Sequence, residues 1–134
     1  MRDADGPVAP DALVAGRRYA LDVTLEVHTP TRHVAVDLPL PGGLEAIDPA
    51  LGAGARARTL WTYPPFEVAH QELHPDRVLL FFDRLRPGVV HHSVIVLATA
   101  PGRYVLPPAA AEAMYTPELY ARTRGASVTI APRP

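Results

Sequence analysis

The sequence predicts a mainly β protein, an antiparallel β-sandwich with one short helix. Three observations carry this expectation. Sixteen prolines and nine glycines among 134 residues are spread along the whole chain and interrupt any helical pattern before it reaches the ~8–20 residues of a globular helix. Apolar residues alternate with polar ones at period two in several segments, as strands with one wet and one buried face require. These segments recur roughly every 8–12 residues with turn residues between them, the spacing of a sandwich or barrel.

Taken in order, the clearest strand runs from Tyr19 to Thr29, where Tyr19, Leu21, Val23, Leu25 and Val27 alternate with polar or small residues. After the turn Thr29-Pro30-Thr31-Arg32, Val34, Val36 and Leu38 resume the alternation until Pro39 and Pro41 remove ladder donors. The two segments are expected to pair as a hairpin. Residues 50–65 are rich in Gly, Ala, Arg and Pro around Trp61 and read as a long surface loop. The runs Arg77–Asp83 and Val89–Thr99 are apolar on both parities in part, as in strands covered on both faces or at a sheet centre, and Leu85-Arg86-Pro87-Gly88 is a turn between them. Tyr104–Leu106 and Ala126–Ile130 supply two further short strands. The helix is expected over Ala109–Tyr115, where strong helix formers follow Pro107-Pro108 and Pro117 supplies a stop.

A chain of 134 residues is expected to form a single domain, spanning residues 1–134, with room for one core. Nearly half of it is apolar and a fifth is charged, a balance that supports a packed globule and argues against intrinsic disorder. Thirteen basic side chains, all arginine, stand against fourteen acidic ones for a net charge of -1. That leaves no general electrostatic drive toward nucleic acid or an anionic membrane. The absence of cysteine excludes a disulfide framework, a thiolate metal site and a thiol nucleophile. No apolar run approaches the ~18 residues of a membrane-spanning helix, so no membrane insertion by this chain is expected.

Residues able to do chemistry are few. Ser93 and Ser127 are the serines available to a Ser-His-Asp arrangement, both fall in predicted strands, and neither sits in a Gly-x-Ser-x-Gly elbow. The best metal constellation is His70, Glu72 and His74, which share one strand face through a spacing of two and which His91 and His92 could complete. It matches no zinc ligand spacing, and the expectation is that no metal is bound. Asp76 and Asp83 flank a strand as solvated carboxylates, and Pro41-Gly42-Gly43 is a turn with no helix behind it to cradle a phosphate. No catalytic residue and no cofactor are therefore expected.

Four motifs add what spacing cannot. They are Leu38-Pro39-Leu40-Pro41-Gly42-Gly43-Leu44-Glu45, then His70-x-Glu72 leading to Asp76-Arg77-Val78-x-Leu80-Phe81-x-Asp83, then Ala100-Pro101-Gly102-Arg103-Tyr104-Val105-Leu106-Pro107-Pro108, and Glu112-Ala113-Met114-Tyr115-x-Pro117-Glu118. In that order they resemble the C-terminal macroglobulin-like domain of the bacterial alpha-2-macroglobulins, over roughly Leu13 to Ile130. The resemblance implies a macroglobulin or receptor-binding-domain-like sandwich that is a non-catalytic, monomeric module excised from a much larger protease inhibitor. It also implies an extracytoplasmic site, periplasmic or lipid-anchored through the parent, with a further strand usual before residues 3–6. In such a trap, cutting of a bait region exposes a thioester in another domain. The implied partners are the parent's other domains, above all the thioester domain, and through the parent the target proteases. Met114 and Tyr115 are implied to contact and shield the thioester domain. Two stretches depart from the family pattern. His74-Pro75-Asp76-Arg77 replaces two acidic residues before the arginine, and Arg103-Tyr104 replaces Thr-Phe. An alternative is a free-standing adhesive or ligand-binding sandwich that uses Trp61 and the 50–65 loop as an aromatic platform.

Overall fold

The computed structural model describes residues 1–48 and 68–134. The loop expected at 50–65, with Trp61, lies outside the described residues. Those residues form thirteen strands: β1 (Arg2–Asp3), β2 (Gly6–Pro7), β3 (Leu13–Val14), β4 (Arg18–Val27), β5 (Thr31–Pro39), β6 (Leu44–Ala46), β7 (His70–Leu73), β8 (Arg77–Leu85), β9 (Gly88–Ala98), β10 (Gly102–Leu106), β11 (Ala110–Ala113), β12 (Tyr120–Arg122) and β13 (Ala126–Ala131). Two five-stranded sheets, ordered β2-β1-β4-β9-β6 and β12-β11-β5-β8-β7, face each other, and a three-stranded sheet, β10-β13-β3, completes the fold. All pairings are antiparallel except β13 with β3.

The core follows from the alternation. Tyr19 on β4, Val34, Val36 and Leu38 on β5, Val78, Leu80 and Phe82 on β8, and Val90, Val94, Val96 and Ala98 on β9 are all buried in one cluster. Leu13, Val128 and Ile130 carry the small sheet into that cluster. Each valine, leucine, isoleucine and phenylalanine among them contributes about 1.5–3 kcal/mol by leaving water. β9 is covered on its second face too, where Ile95 packs with Ala20 and Ile47, as its mixed parity predicted.

Two expectations are corrected. First, β4 and β5 do not form a hairpin. β4 pairs with β9 from Arg18–Leu97 to Val27–Gly88, while β5 pairs with β8 from Thr31–Leu85 to Pro39–Arg77. The three residues after Val27 carry the chain from one sheet to the other, and Arg86-Pro87 does the same between β8 and β9. Period-two alternation states which face of a strand is buried but not which strand lies beside it, so two arches satisfy the pattern as well as two hairpins.

Second, the short helix expected at Ala109–Tyr115 is absent. Ala110–Ala113 is β11, paired with Val34–Asp37 of β5 and with Tyr120–Arg122 of β12. A seven-residue helix is marginal even in alanine. The ladder to β5 satisfies the same backbone groups, and it lays Ala109 and Ala111 on the core. Tertiary pairing overrides a propensity preference of a few tenths of a kcal/mol per residue.

The N-terminus is tied down by a polar network. Arg2 Nε and Nη2 donate to the two carboxylate oxygens of Asp22 at 2.8 and 3.1 Å, and Nη2 also donates to Ser93 Oγ at 3.2 Å. Ser93 Oγ in turn donates to Asp22 Oδ1 at 2.6 Å. Asp22 and Ser93 are register partners on β4 and β9, so the bidentate arginine clamps β1 onto the pair.

The turn at residues 41–44 closes by a bond from Leu44 N to Pro41 O at 3.0 Å. A Cβ on Gly43 would lie 2.4 Å from the Tyr104 ring and 2.6 Å from Ile130 Cδ1. Tyr104 cannot give way freely, because its hydroxyl donates to the carbonyls of Ala100 and Pro101 at 3.2 and 3.1 Å. We expect Gly43→Ala to cost about 1–3 kcal/mol by overpacking, read as a lower denaturant midpoint with an unchanged slope. A stability equal to the parent chain's would refute this close packing.

Candidate functional site

The residues that stand out are those the core does not use. Between β11 and β12 the chain makes a tight tip, with Thr116 N donating to Ala113 O at 3.0 Å, Leu119 N to Thr116 O at 2.9 Å and Ala113 N to Leu119 O at 3.0 Å. Pro117, which has no N–H to satisfy, fits inside it. Met114 is 44% exposed, Tyr115 80%, Leu119 46% and Tyr120 70%. Four large apolar or aromatic side chains on one short hairpin are thus offered to solvent, while Ala113 beneath them is buried. Single exposed apolar residues need no explanation, whereas four within one short hairpin make it the candidate site.

The tip is anchored to β5 by one residue. Met114 N donates to His33 O at 2.8 Å, and the His33 and Tyr115 rings meet edge to face, centroids 5.0 Å apart and planes at 86°. Beside the tip, Leu119 and Tyr120 join the rim of a groove of about 590 Å³ between β4 and the β11–β12 hairpin, lined by Val23, Leu25 and Val27 opposite Ala111 and Ala121. From Leu21 to Val27, β4 has β9 on one side and no strand on the other among the described residues, since β1 reaches only Ala20.

His70, Glu72 and His74 do come together. His74 Nε2 lies 3.0 Å from Glu72 Oε2 and His70 Nε2 lies 3.4 Å from Glu72 Oε1. The His74 hydrogen bond, aided by His70 and opposed by partial desolvation, holds the Glu72 carboxyl below its ordinary value. His70 also stacks on Phe81 at 5.8 Å. This row is an exposed set of polar contacts along the edge strand β7. His91 and His92 do not complete it. His91 Nδ1 lies 3.2 Å from Thr24 Oγ1, and His92 is buried with Nε2 at 3.0 Å from Gln71 Oε1. Among the described residues no group of three or more His, Asp or Glu is arranged to hold a metal ion.

Ser93 meets Asp22 and Arg2 as described above, and its neighbour His92 faces the other side of β9 toward Gln71. His91, two residues from Ser93 on the same face of β9, places Nδ1 against Thr24, and the Ser93 hydroxyl donates to a carboxylate, Asp22, rather than to an imidazole. Ser127 pairs with Val105 in the β10–β13 ladder. What sequence reasoning missed is His33, Leu119 and Tyr120. The last two follow directly on the Met-Tyr-x-Pro-Glu motif and were legible as its continuation. His33 carries no local signal.

Comparison with known proteins bears on this arrangement. The profile of the bacterial alpha-2-macroglobulin MG10 domain matches residues 2–118. The chain belongs to this MG10 domain family. An alpha-2-macroglobulin homolog from Nostoc sp. is 29% identical over 114 residues, which is 85% of this chain and 6% of that protein. The MG10 chain thus spans a small fraction of its relative's length. Among solved structures, Salmonella alpha-2-macroglobulin reacted with methylamine superposes with a TM-score of 0.82 at 22% identity, covering 98% of this chain and 9% of that one. Trypsin-activated alpha-2-macroglobulin from Escherichia coli gives 0.85 at 19% identity, covering 98% and 10%. At these identities the likeness is one of fold. The MG10 fold is the mainly β sandwich that the sequence predicted.

Two outcomes are expected. Burial holds His92 below its ordinary value of 6.5, so the folded state disfavours the charged ring. Stability is full above the unfolded value and falls as pH drops from about 6.5 toward the lowered native value. His92→Gln should flatten this part of a denaturation-against-pH curve, and a slope equal to the parent chain's would refute the assignment. For the row at β7 and the residue after it, three side chains from one short exposed segment cannot close a tetrahedral zinc site. EDTA should leave the melting temperature unchanged, and a fall of several degrees would overturn that reading.

Proposed function

We propose that this chain is a non-catalytic module of a bacterial alpha-2-macroglobulin-like protease inhibitor, which packs against the thioester domain of its parent and shields the thioester through Met114 and Tyr115. The observation that carries this reading is the hairpin tip: Met114 and Tyr115 stand 44% and 80% exposed beside Leu119 and Tyr120, on a backbone fixed by four hydrogen bonds. Family membership and the small share of its relative's length support a module within a larger chain. The reading includes the C-terminal position, an extracytoplasmic site and target proteases engaged through the parent.

The chemistry is one of exclusion. A thioester is an activated acyl group that water and amines consume, so its cover must be apolar, closely fitting and removable. A methionine adapts to an irregular surface through its flexible thioether chain, and a tyrosine offers a flat apolar body with a hydroxyl to anchor its far end. Both functions call for side chains that the domain's own core does not consume.

Replacing Met114 and Tyr115 together by alanine tests this. In the isolated chain the double variant is expected to cost under ~1 kcal/mol, well short of the ~2–5 kcal/mol of emptying a core site. In a thioester-bearing parent the same change should speed loss of the thioester to methylamine. A large drop in the isolated chain's stability would mark the pair as core, and an unchanged thioester lifetime would remove the shielding role.

A further inference from the structure

Among the described non-glycine residues, His33 is the one whose backbone conformation the strand pattern does not explain. Its φ is +54°, and it is the only non-glycine residue with a positive φ among those described. It lies in β5, a nine-residue strand whose other members continue the ladder. Arg32 pairs with Arg84 and Val34 with Phe82 on β8, but His33 is missing from that register. A left-handed backbone is uncommon for a residue with a side chain, and histidine tolerates it better than most. Where it persists, the surroundings must over-determine it, and such positions gather at functional sites.

The over-determination here points one way. The His33 carbonyl accepts the Met114 amide at 2.8 Å, extending the β5–β11 ladder one residue beyond Ala113–Val34. Its ring meets Tyr115 edge to face at 5.0 Å. Backbone and side chain of one residue thus hold two consecutive residues of the tip, the two with the proposed contact role. An 80% exposed tyrosine with no neighbour would sample its rotamers freely and lose that freedom on docking.

We propose that His33 is a positioning residue, whose left-handed turn fixes Met114 and whose imidazole fixes the direction of the Tyr115 ring, so that the pair meets its partner surface already oriented. The proposal rests, for its purpose, on the shielding reading above. Its geometry is a separate matter and is tested separately. The two halves of the residue divide cleanly. Asparagine accepts the left-handed conformation but has no ring, whereas alanine disfavours the conformation and has no ring either.

The test is NMR on the 134-residue chain. His33→Asn should leave the Met114 amide protected from exchange within about 3-fold, while the Tyr115 ring protons move to the shifts of an unoriented tyrosine. His33→Ala should also speed Met114 exchange, by about 5-fold or more, as the backbone relaxes. Unchanged Tyr115 shifts in His33→Asn, or unchanged Met114 exchange in His33→Ala, would overturn the proposal. In a thioester-bearing parent, His33→Asn should shorten the thioester lifetime toward that of the Met114 and Tyr115 double alanine variant. If the double variant shortens it and His33→Asn does not, orientation by His33 has no functional weight and the proposal falls. If neither changes it while the ring shifts respond as expected, the shielding reading fails and His33 stands as the residue that orients the tip.

Discussion

Two antiparallel ladders, β4 with β9 and β5 with β8, each carry an apolar row that can leave water only against the other. Tyr19, Val94 and Val96 on one side and Val36, Leu80 and Phe82 on the other are the residues this constraint acts on. Both crossings between the ladders are short, three residues after Val27 and Arg86-Pro87 after Leu85. Because the arches leave little slack, burying one row brings the other into place. The rest of the molecule is added to this pair: β11 and β12 extend the β5 side, β1 and β6 extend the β4 side, and the small sheet supplies Leu13, Val128 and Ile130 to the same cluster.

That division of labour explains why the residues at the hairpin tip can be so exposed. The β11–β12 hairpin needs only small side chains to join the sandwich, since Ala109 and Ala111 cover the core while the ladder to β5 satisfies the backbone. Its tip is then free to carry Met114, Tyr115, Leu119 and Tyr120 outward. Stability and presentation draw on different residues of one hairpin. A surface built this way can be altered by evolution with little cost to the fold, provided that the alanines beneath it stay small.

The polar groups at the edge of the core show the same economy. Arg2, Asp22 and Ser93 form a set in which the carboxylate takes both arginine nitrogens and the serine hydroxyl. A half-buried arginine and aspartate are tolerable in that arrangement because each compensates the other. His92 is held neutral by burial beside Gln71. Neither arrangement has the geometry of a nucleophile with its base, and the exposed His70, Glu72 and His74 row has contacts directed among its own members.

The amino-acid sequence by itself determined the class of the fold and the faces of its strands. Period two in Tyr19–Val27 and Val34–Leu38 named the inward residues correctly, because side-chain alternation is a local property of extended backbone. The family profile extends over the Met-Tyr-x-Pro-Glu motif, but the sequence placed Met114 and Tyr115 at a helix end rather than on a hairpin tip. Only the tertiary structure decided that β4 pairs with β9 rather than β5, since either partner buries the same face. It also made a strand of Ala110–Ala113, where β5 offered hydrogen bonds that a lone turn of helix could not match. His33 was illegible for a related reason: the contacts its left-handed backbone makes are with Met114 and Tyr115, about eighty residues away, and nothing in its immediate neighbours encodes them.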